Sequence, residues 1–166
     1  MGGLSSKQRN KFTSLEDLFV SKLNTGVSLT LTSTLLPSGG VTAIYFSAHW
    51  CPPCRKFTPT FVEAYNTYDQ TFVEGEDTPF RVIFVSSDKN EGDFKSYFGT
   101  MPWLAVPFEN SLVKNALSQI YSVAGIPMLI VICNDTGKLL CKNGRSDISQ
   151  CGGNLRSVIQ KWAGGR

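Results

Sequence analysis

Two hydrophobic patterns alternate along this chain: short runs that are almost wholly apolar, and longer stretches with apolar residues three and four positions apart. The runs at 41–46, 80–86 and 128–133 suit buried strands, the first as a central strand covered on both faces. Between them, 52–72 places Phe57, Phe61, Ala64, Tyr65 and Tyr68 at helical spacing, and Pro59 inside it predicts a kink. Shorter helices are expected over 91–98 and 112–121, and a terminal one over 153–163. The segment 138–142 should pair with 128–133 as a hairpin around Asn134-Asp135-Thr136-Gly137.

Nearer the N-terminus, Thr13-Ser14-Leu15-Glu16 matches a capping box and predicts an amphipathic helix over 14–23, ending near Asn24 and Gly26. A strand is expected over 27–31, and Pro37-Ser38-Gly39-Gly40 reads as a turn. This alternation of strands and helices implies an α/β domain.

With 166 residues, 42% of them hydrophobic, the chain can bury one substantial core but is short for two domains. The expected organisation is a basic arm over 1–13, one domain over 14–163 and a tail over 164–166. The longest apolar stretch, 128–133, is far below the roughly 20 residues of a membrane-spanning helix, and the first twelve residues are polar rather than signal-like. A cytoplasmic, thiol-reducing compartment is therefore the expectation. The formal net charge is +3, and Lys7, Arg9 and Lys11 account for it because no acid precedes Glu16. A body without net charge offers no basic face for nucleic acid.

Trp50-Cys51-Pro52-Pro53-Cys54 stands between the strand at 41–46 and the helix that follows. A thiolate attacks a disulfide through a mixed disulfide, which a second nearby thiol resolves. Cys51 is the expected nucleophile and Cys54 the resolving thiol. With Cys51 at the N-cap, Pro52 falls at the first helical position, where its missing N–H costs little. Pro53 removes another donor, so the Cys54 and Arg55 amides are expected to be the nearest free ones. Those amides, the helix dipole and the Arg55 charge predict that Cys51 is the more acidic thiol.

Other readings of the pair stay open. A zinc site needs about four ligands, whereas the only histidine is His49 and Cys133, Cys141 and Cys151 form no second close pair. A structural disulfide is the other alternative, one that a reducing compartment disfavours. Cys133, among apolar strand residues, reads as a packed hydrophobe. No metal is expected.

The strand, the Cys-x-x-Cys at a helix start and a later Gly125-Ile126-Pro127 before a strand together resemble the thioredoxin fold. That fold is a central mixed β-sheet flanked by helices, here with an N-terminal extension. The stretch 45–55, Val85-Ser86-Ser87-Asp88 and the segment 101–108 resemble the tryparedoxin and nucleoredoxin branch more narrowly. The resemblance implies a cis Pro127 lying against the cysteine pair, which leaves the Ile126 backbone free to bond an extended substrate segment; alternatively Pro127 merely breaks the chain before a strand. It implies a partly exposed Trp50 walling the thiol site, though an aromatic at a strand end also reads as core, and a supporting role for Pro102-Trp103.

Two departures bear on the chemistry. Tyr45 stands where ordinary thioredoxins carry a buried aspartate; a phenol is a poor base at neutral pH but can orient a water or hydrogen-bond a thiol. Ser87 and Met128 replace residues usual in tryparedoxins, and Ser86-Ser87-Asp88 is closer to nucleoredoxin. Asp88 reads either as electrostatic support for the site or as a solvated acid at a strand end.

Met1-Gly2-Gly3-Leu4-Ser5-Ser6 fits the N-myristoylation pattern at Gly2, with the basic residues just behind it, and also fits an ordinary polar arm. A lone myristoyl chain binds membranes only marginally, and each basic residue near an anionic surface adds about 1 kcal/mol. The expected function is reduction of protein disulfides, by resemblance those of peroxiredoxin-type peroxidases. No bound cofactor is expected beyond the redox-active Cys51–Cys54 disulfide itself. Its external donor would be trypanothione, glutathione or a reductase. The alternative is a redox-switched protein-binding module of nucleoredoxin type.

Overall fold

The computed structural model describes residues 36–166 and, before them, the strand backbones Lys22–Asn24 (β1) and Leu29–Leu31 (β2). The apolar run at 41–46 extends by one residue into β3, Val41–Ser47, buried along its whole length. It is buried because it is central: it pairs parallel with β4, Phe80–Ser86, and antiparallel with β6, Met128–Cys133. The connection between β3 and β4 is α1, Pro52–Gln70, a crossover helix that parallel pairing requires. After β4 come α2, Glu91–Phe98; β5, Leu104–Ala105; and α3, Ser111–Ile120. Beyond β6 lie β7, Leu139–Cys141; α4, Gly144–Gln150; and α5, Leu155–Ala163. The sheet order is β2-β1-β5-β4-β3-β6-β7.

Strand alternation divides the core. Val41, Ala43 and Tyr45 face the side covered by Phe57, Phe61, Tyr65 and Tyr68 of α1 and by Val158, Ile159 and Trp162 of α5. Ile44 and Phe46 face the other side, with Ile83, Val85, Ile130 and Ile132 under Val113, Leu117 and Tyr121 of α3 and the turn after it.

The helix expected over 14–23 lies outside the described residues except at its end, where it is wrong. Lys22 and Leu23 are strand, because their backbone groups pair with Leu31 and Thr30. The strand expected over 27–31 is described as Leu29–Leu31, and the arm over 1–13 lies outside the described residues. α1 runs through Pro59 as one continuous helix. The short α4 and the two-residue β5 had no counterpart in the reading of the sequence. The last residues, 164–166, are tied to the body: Lys138 Nζ donates to the Gly165 carbonyl at 2.9 Å, and Arg166 Nη1 donates to the Gly39 carbonyl.

Candidate active site

The N-terminus of α1 is built unlike those of α2, α3 and α5. There Asn90, Asn110 and Asn154 each cap the helix by accepting from the amide three residues on. At α1 the N-cap is Cys51, its side chain makes no capping bond, and Pro52 and Pro53 occupy the first two positions. The Arg55 amide, expected to be free, donates to the Cys51 carbonyl at 3.1 Å as the first helical hydrogen bond. Cys54 therefore holds the one remaining first-turn amide. The exposed Arg55 side chain lies on the outer side of the helix.

Cys51 is 4% exposed and Cys54 wholly buried beneath it, packed with Ala48 and Ile126. Burial, and after it the hydrogen bond with Cys51, push the Cys54 thiol up to about 11, against smaller lowering effects of the Ser47 hydroxyl and the Ala48 backbone. Opposite the pair, the Ile126–Pro127 peptide is cis, and Cys51 Sγ lies 4.0 Å from the Ile126 carbonyl oxygen.

The loop before Cys51 is held from β4. Asp88, 7% exposed, is not a solvated acid: its carboxylate accepts from the His49 amide at 2.7 Å and the Ser86 hydroxyl at 2.7 Å. It supports the site by fixing the backbone that leads into Cys51. Trp50 is 51% exposed, so it is no core residue; its indole N–H donates to the Ser87 carbonyl at 2.9 Å, and Lys89 Nζ lies 5.9 Å from its ring centroid. Trp103 packs instead against Phe61, Tyr65 and Tyr45, with centroid distances of 4.6, 5.4 and 6.3 Å.

Tyr45 does not bond a thiol. Its hydroxyl is 2.7 Å from Thr58 Oγ1, accepts from Ser47 Oγ at 3.1 Å, and points toward the Cys54 carbonyl at 3.5 Å. Burial raises the Tyr45 phenol well above its ordinary value, so it remains neutral at any physiological pH.

Three features escaped the reading of the sequence. Ser47 and Thr58 are small hydroxyl residues at positions that pattern alone assigns to packing, and Tyr97 comes from α2, fifty residues after Ser47. Arg145, on α4, donates to the Pro127 carbonyl at 3.2 Å and lines a hollow of about 480 Å³ with Lys142, Asn143, Ser146 and Ser149. The one local signal for α4 is Asn143 ahead of a short run, and Gly144 right after it makes the pair read as a turn instead. Among the described residues, no three His, Cys, Asp or Glu side chains converge as a metal cage. Cys133 is buried in β6, and the Cys141 thiol, half-buried, donates to Asp147 at 3.5 Å.

Comparison with known proteins bears on this arrangement. A family model described as Thioredoxin-like matches residues 39–138. The chain belongs to that family. Within the thioredoxin-like proteins it is related to nucleoredoxins and tryparedoxins. It is 41% identical to mouse nucleoredoxin over 125 residues, 75% of this chain and 27% of that one. It thus spans about a quarter of the length of that relative. It is 40% identical to tryparedoxin of Trypanosoma brucei brucei over 110 residues, 66% of this chain and 72% of that one. Among solved structures it resembles tryparedoxin II complexed with glutathionylspermidine, with a TM-score of 0.73 at 30% identity, covering 82% of this chain and 91% of that one. The thioredoxin fold inferred from the sequence is the fold observed.

Proposed function

We propose that this thioredoxin-like chain is a dithiol:disulfide oxidoreductase that reduces protein disulfides. The observation that carries the reading is the inequality of the two cysteines: Cys51 caps α1 at the rim, and Cys54 lies wholly buried behind it with its thiol pushed up. The Cys51 thiolate attacks one sulfur of a client disulfide, and the other leaves with the bonding pair as a thiolate. Cys54, once deprotonated, attacks the Cys51 sulfur, the second client thiolate leaves, and the Cys51–Cys54 disulfide forms. Two electrons pass to the client, and the two protons lost by the dithiol match the two its thiolates take up. The redox group is the protein's own dithiol, with no further cofactor.

The surroundings have defined parts in this scheme. The Ile126 carbonyl beside Cys51 offers an acceptor to the backbone of an extended client segment, while Pro127 and the exposed Trp50 wall the approach. Pro52 and Pro53 leave the rim of the helix without competing donors, Arg55 adds positive charge, Tyr45 supports Cys54 from below, and Asp88 holds the entering loop. Peroxiredoxin-type peroxidases are the proposed clients. Regeneration would come from an external dithiol such as trypanothione, from glutathione or from a reductase; the tryparedoxin II complex with glutathionylspermidine supports a glutathione-containing donor.

Insulin-disulfide reduction with dithiothreitol or trypanothione tests the reading. Cys51→Ser should be inactive, and Cys54→Ser should accumulate mixed disulfides with clients and lose turnover. A second reading, a redox-switched binding module, is favoured by the kinship with nucleoredoxin and by the exposure of Trp50. Partners recovered noncovalently by a chain lacking both cysteines would support it over catalysis. We further propose a cytoplasmic protein held reversibly at membranes by myristoylated Gly2 together with Lys7, Arg9 and Lys11. An unmodified Gly2 in mass spectra of protein from its native cell would refute that anchoring.

A further inference from the structure

Beside Cys51 stands a fixed aromatic surface with an unpaired charge over it. Trp50 precedes the nucleophile and is half exposed, yet its ring is pinned, because its indole N–H donates to the Ser87 carbonyl at 2.9 Å. Ser87 is itself held, its amide donating to the Ser47 carbonyl at 2.9 Å. Next to it the Asp88 amide donates to the Ser86 hydroxyl at 2.8 Å, and the Asp88 carboxylate accepts from the His49 amide. The turn after β4 and the loop before α1 are therefore tied to each other at three points.

Lys89 follows in that turn, exposed. Its backbone is bracketed by Asp88 and by Asn90, whose side chain caps α2 at the Asp93 amide at 2.8 Å. Its side chain stands with Nζ 5.9 Å from the Trp50 ring centroid, a contact that at an exposed site is weak and keeps the ammonium near the ring without neutralising it. The acids close to it in the chain are engaged elsewhere. Asp88 is taken by the His49 amide and the Ser86 hydroxyl, Glu91 by Lys95 at 2.8 Å, and Asp93 by the Asn90 side-chain amide at 2.7 Å. Among the described residues the ion pairs are those of Lys95, Arg156 and Lys161, so Lys89 has no carboxylate partner there. The first turn of α1 adds the exposed Arg55 and no acid.

We propose that Trp50 and Lys89 form a recognition corner for clients whose disulfide is flanked by Asp or Glu in an extended segment. The corner deepens the dithiol reading above and rests on it. The hydrocarbon part of the acidic residue lies against the exposed indole, and its carboxylate meets the Lys89 ammonium. A client Lys or Arg at the same place meets like charge, so the corner discriminates by repulsion as well as attraction. Lys89 is a specificity-determining residue with no part in the sulfur chemistry. The carboxylate it takes belongs to the client segment rather than to the electron donor.

Two short peptides test the corner, each with one cysteine joined as a mixed disulfide to pyridinethiol, flanked by Glu in one and by Lys in the other. The Cys51 thiolate of the reduced full chain attacks the peptide sulfur. Pyridinethione leaves with the bonding pair, takes up a proton and is read by its absorbance. A Cys51→Ser chain corrects for the other cysteines, and the same peptides with dithiothreitol give their intrinsic ratio of rates. Relative to that ratio, the native chain should favour the Glu peptide about tenfold at low ionic strength, and the preference should shrink toward one in about 1 M salt. Lys89→Gln should bring it near one, Lys89→Glu should invert it, and Lys89→Arg should retain it. Both peptides meet the same folded molecule, so a merely structural effect slows both and leaves the ratio alone. A native chain without preference, or a preference that survives Lys89→Glu, overturns the corner. So does slower re-reduction of the oxidised chain by glutathione as the sole effect of Lys89→Glu, which would assign the carboxylate to the donor. Resolution is read separately, as free peptide appearing after the thione. A mixed disulfide that persists in the native chain overturns the dithiol reading, and the corner with it.

Discussion

The two faces of the sheet are equally buried and differently made. Under α3 the core is almost entirely aliphatic, with Ile44, Ile83, Ile130 and Ile132 meeting Val113 and Leu117. Under α1 the core is aromatic and carries hydroxyls, with Tyr45, Ser47, Thr58 and Tyr97 mutually bonded beneath Cys54. One strand, β3, supplies both faces by simple alternation. The difference teaches that burial here has two uses: on one side it holds the sheet together, and on the other it sets the environment of a thiol. Each buried hydroxyl is satisfied by another, which lets polar groups remain in a dry interior without a large desolvation cost.

Substitutions that act on one face alone test this division. Leu117→Ala on the aliphatic face should have the largest effect on stability, a loss of about 2 to 5 kcal/mol by denaturant unfolding. Insulin-disulfide reduction per folded molecule should be unchanged. If that rate falls as well, the faces are not separate. On the other face, Thr58→Val removes a hydroxyl that serves Tyr45, Tyr97 and the Cys54 carbonyl. It should cost about 1 to 3 kcal/mol through the partners left unsatisfied, and, by loosening the backbone of Cys54, it should lower the rate of insulin-disulfide reduction per folded molecule, which Leu117→Ala should not.

Alkaline pH should sharpen the contrast without any mutation. Burial raises Cys54 from 9.0 to about 11, and it also raises Tyr45, Tyr97 and, on the α3 face, Tyr121, the last to about 12. Groups raised by folding contribute stability that is intact below their unfolded values and is lost as pH climbs through the folded ones. The melting temperature should therefore fall from about pH 9 upward, and less steeply in Tyr97→Phe, which removes one such group.

The smallest effect is expected at the margin of the α1 face, far from the cysteine pair, where Asp147 bonds Trp162. Burial alone would raise the Asp147 carboxyl, but Lys161, Trp162 and Cys141 donate to it and hold it below the usual carboxylate range. Its contribution is present above that range and lost as pH falls. Asp147→Asn should lower the melting temperature slightly at neutral pH and not at all in strong acid. Thiol chemistry should be indifferent to it.

What the chain determined by itself is whatever depends on neighbours in sequence. The apolar runs that became β3, β4 and β6, the helical spacing of Phe57, Phe61 and Tyr65, and the placing of Cys51 and Cys54 at a helix start are local patterns, and they were legible as such. The tertiary structure decided the rest, because it depends on groups that meet only after folding. Backbone pairing with 29–31 made Lys22 and Leu23 strand where their spacing suggested helix. The buried carboxylate of Asp88 found the His49 amide across the site, and Arg145 reached Pro127 from a helix the pattern did not disclose. Ser47, Thr58 and Tyr97 look like ordinary polar or packing residues one by one. They become a connected path only because parallel pairing of β3 with β4 and the crossover through α1 bring three distant hydroxyls within hydrogen-bonding distance.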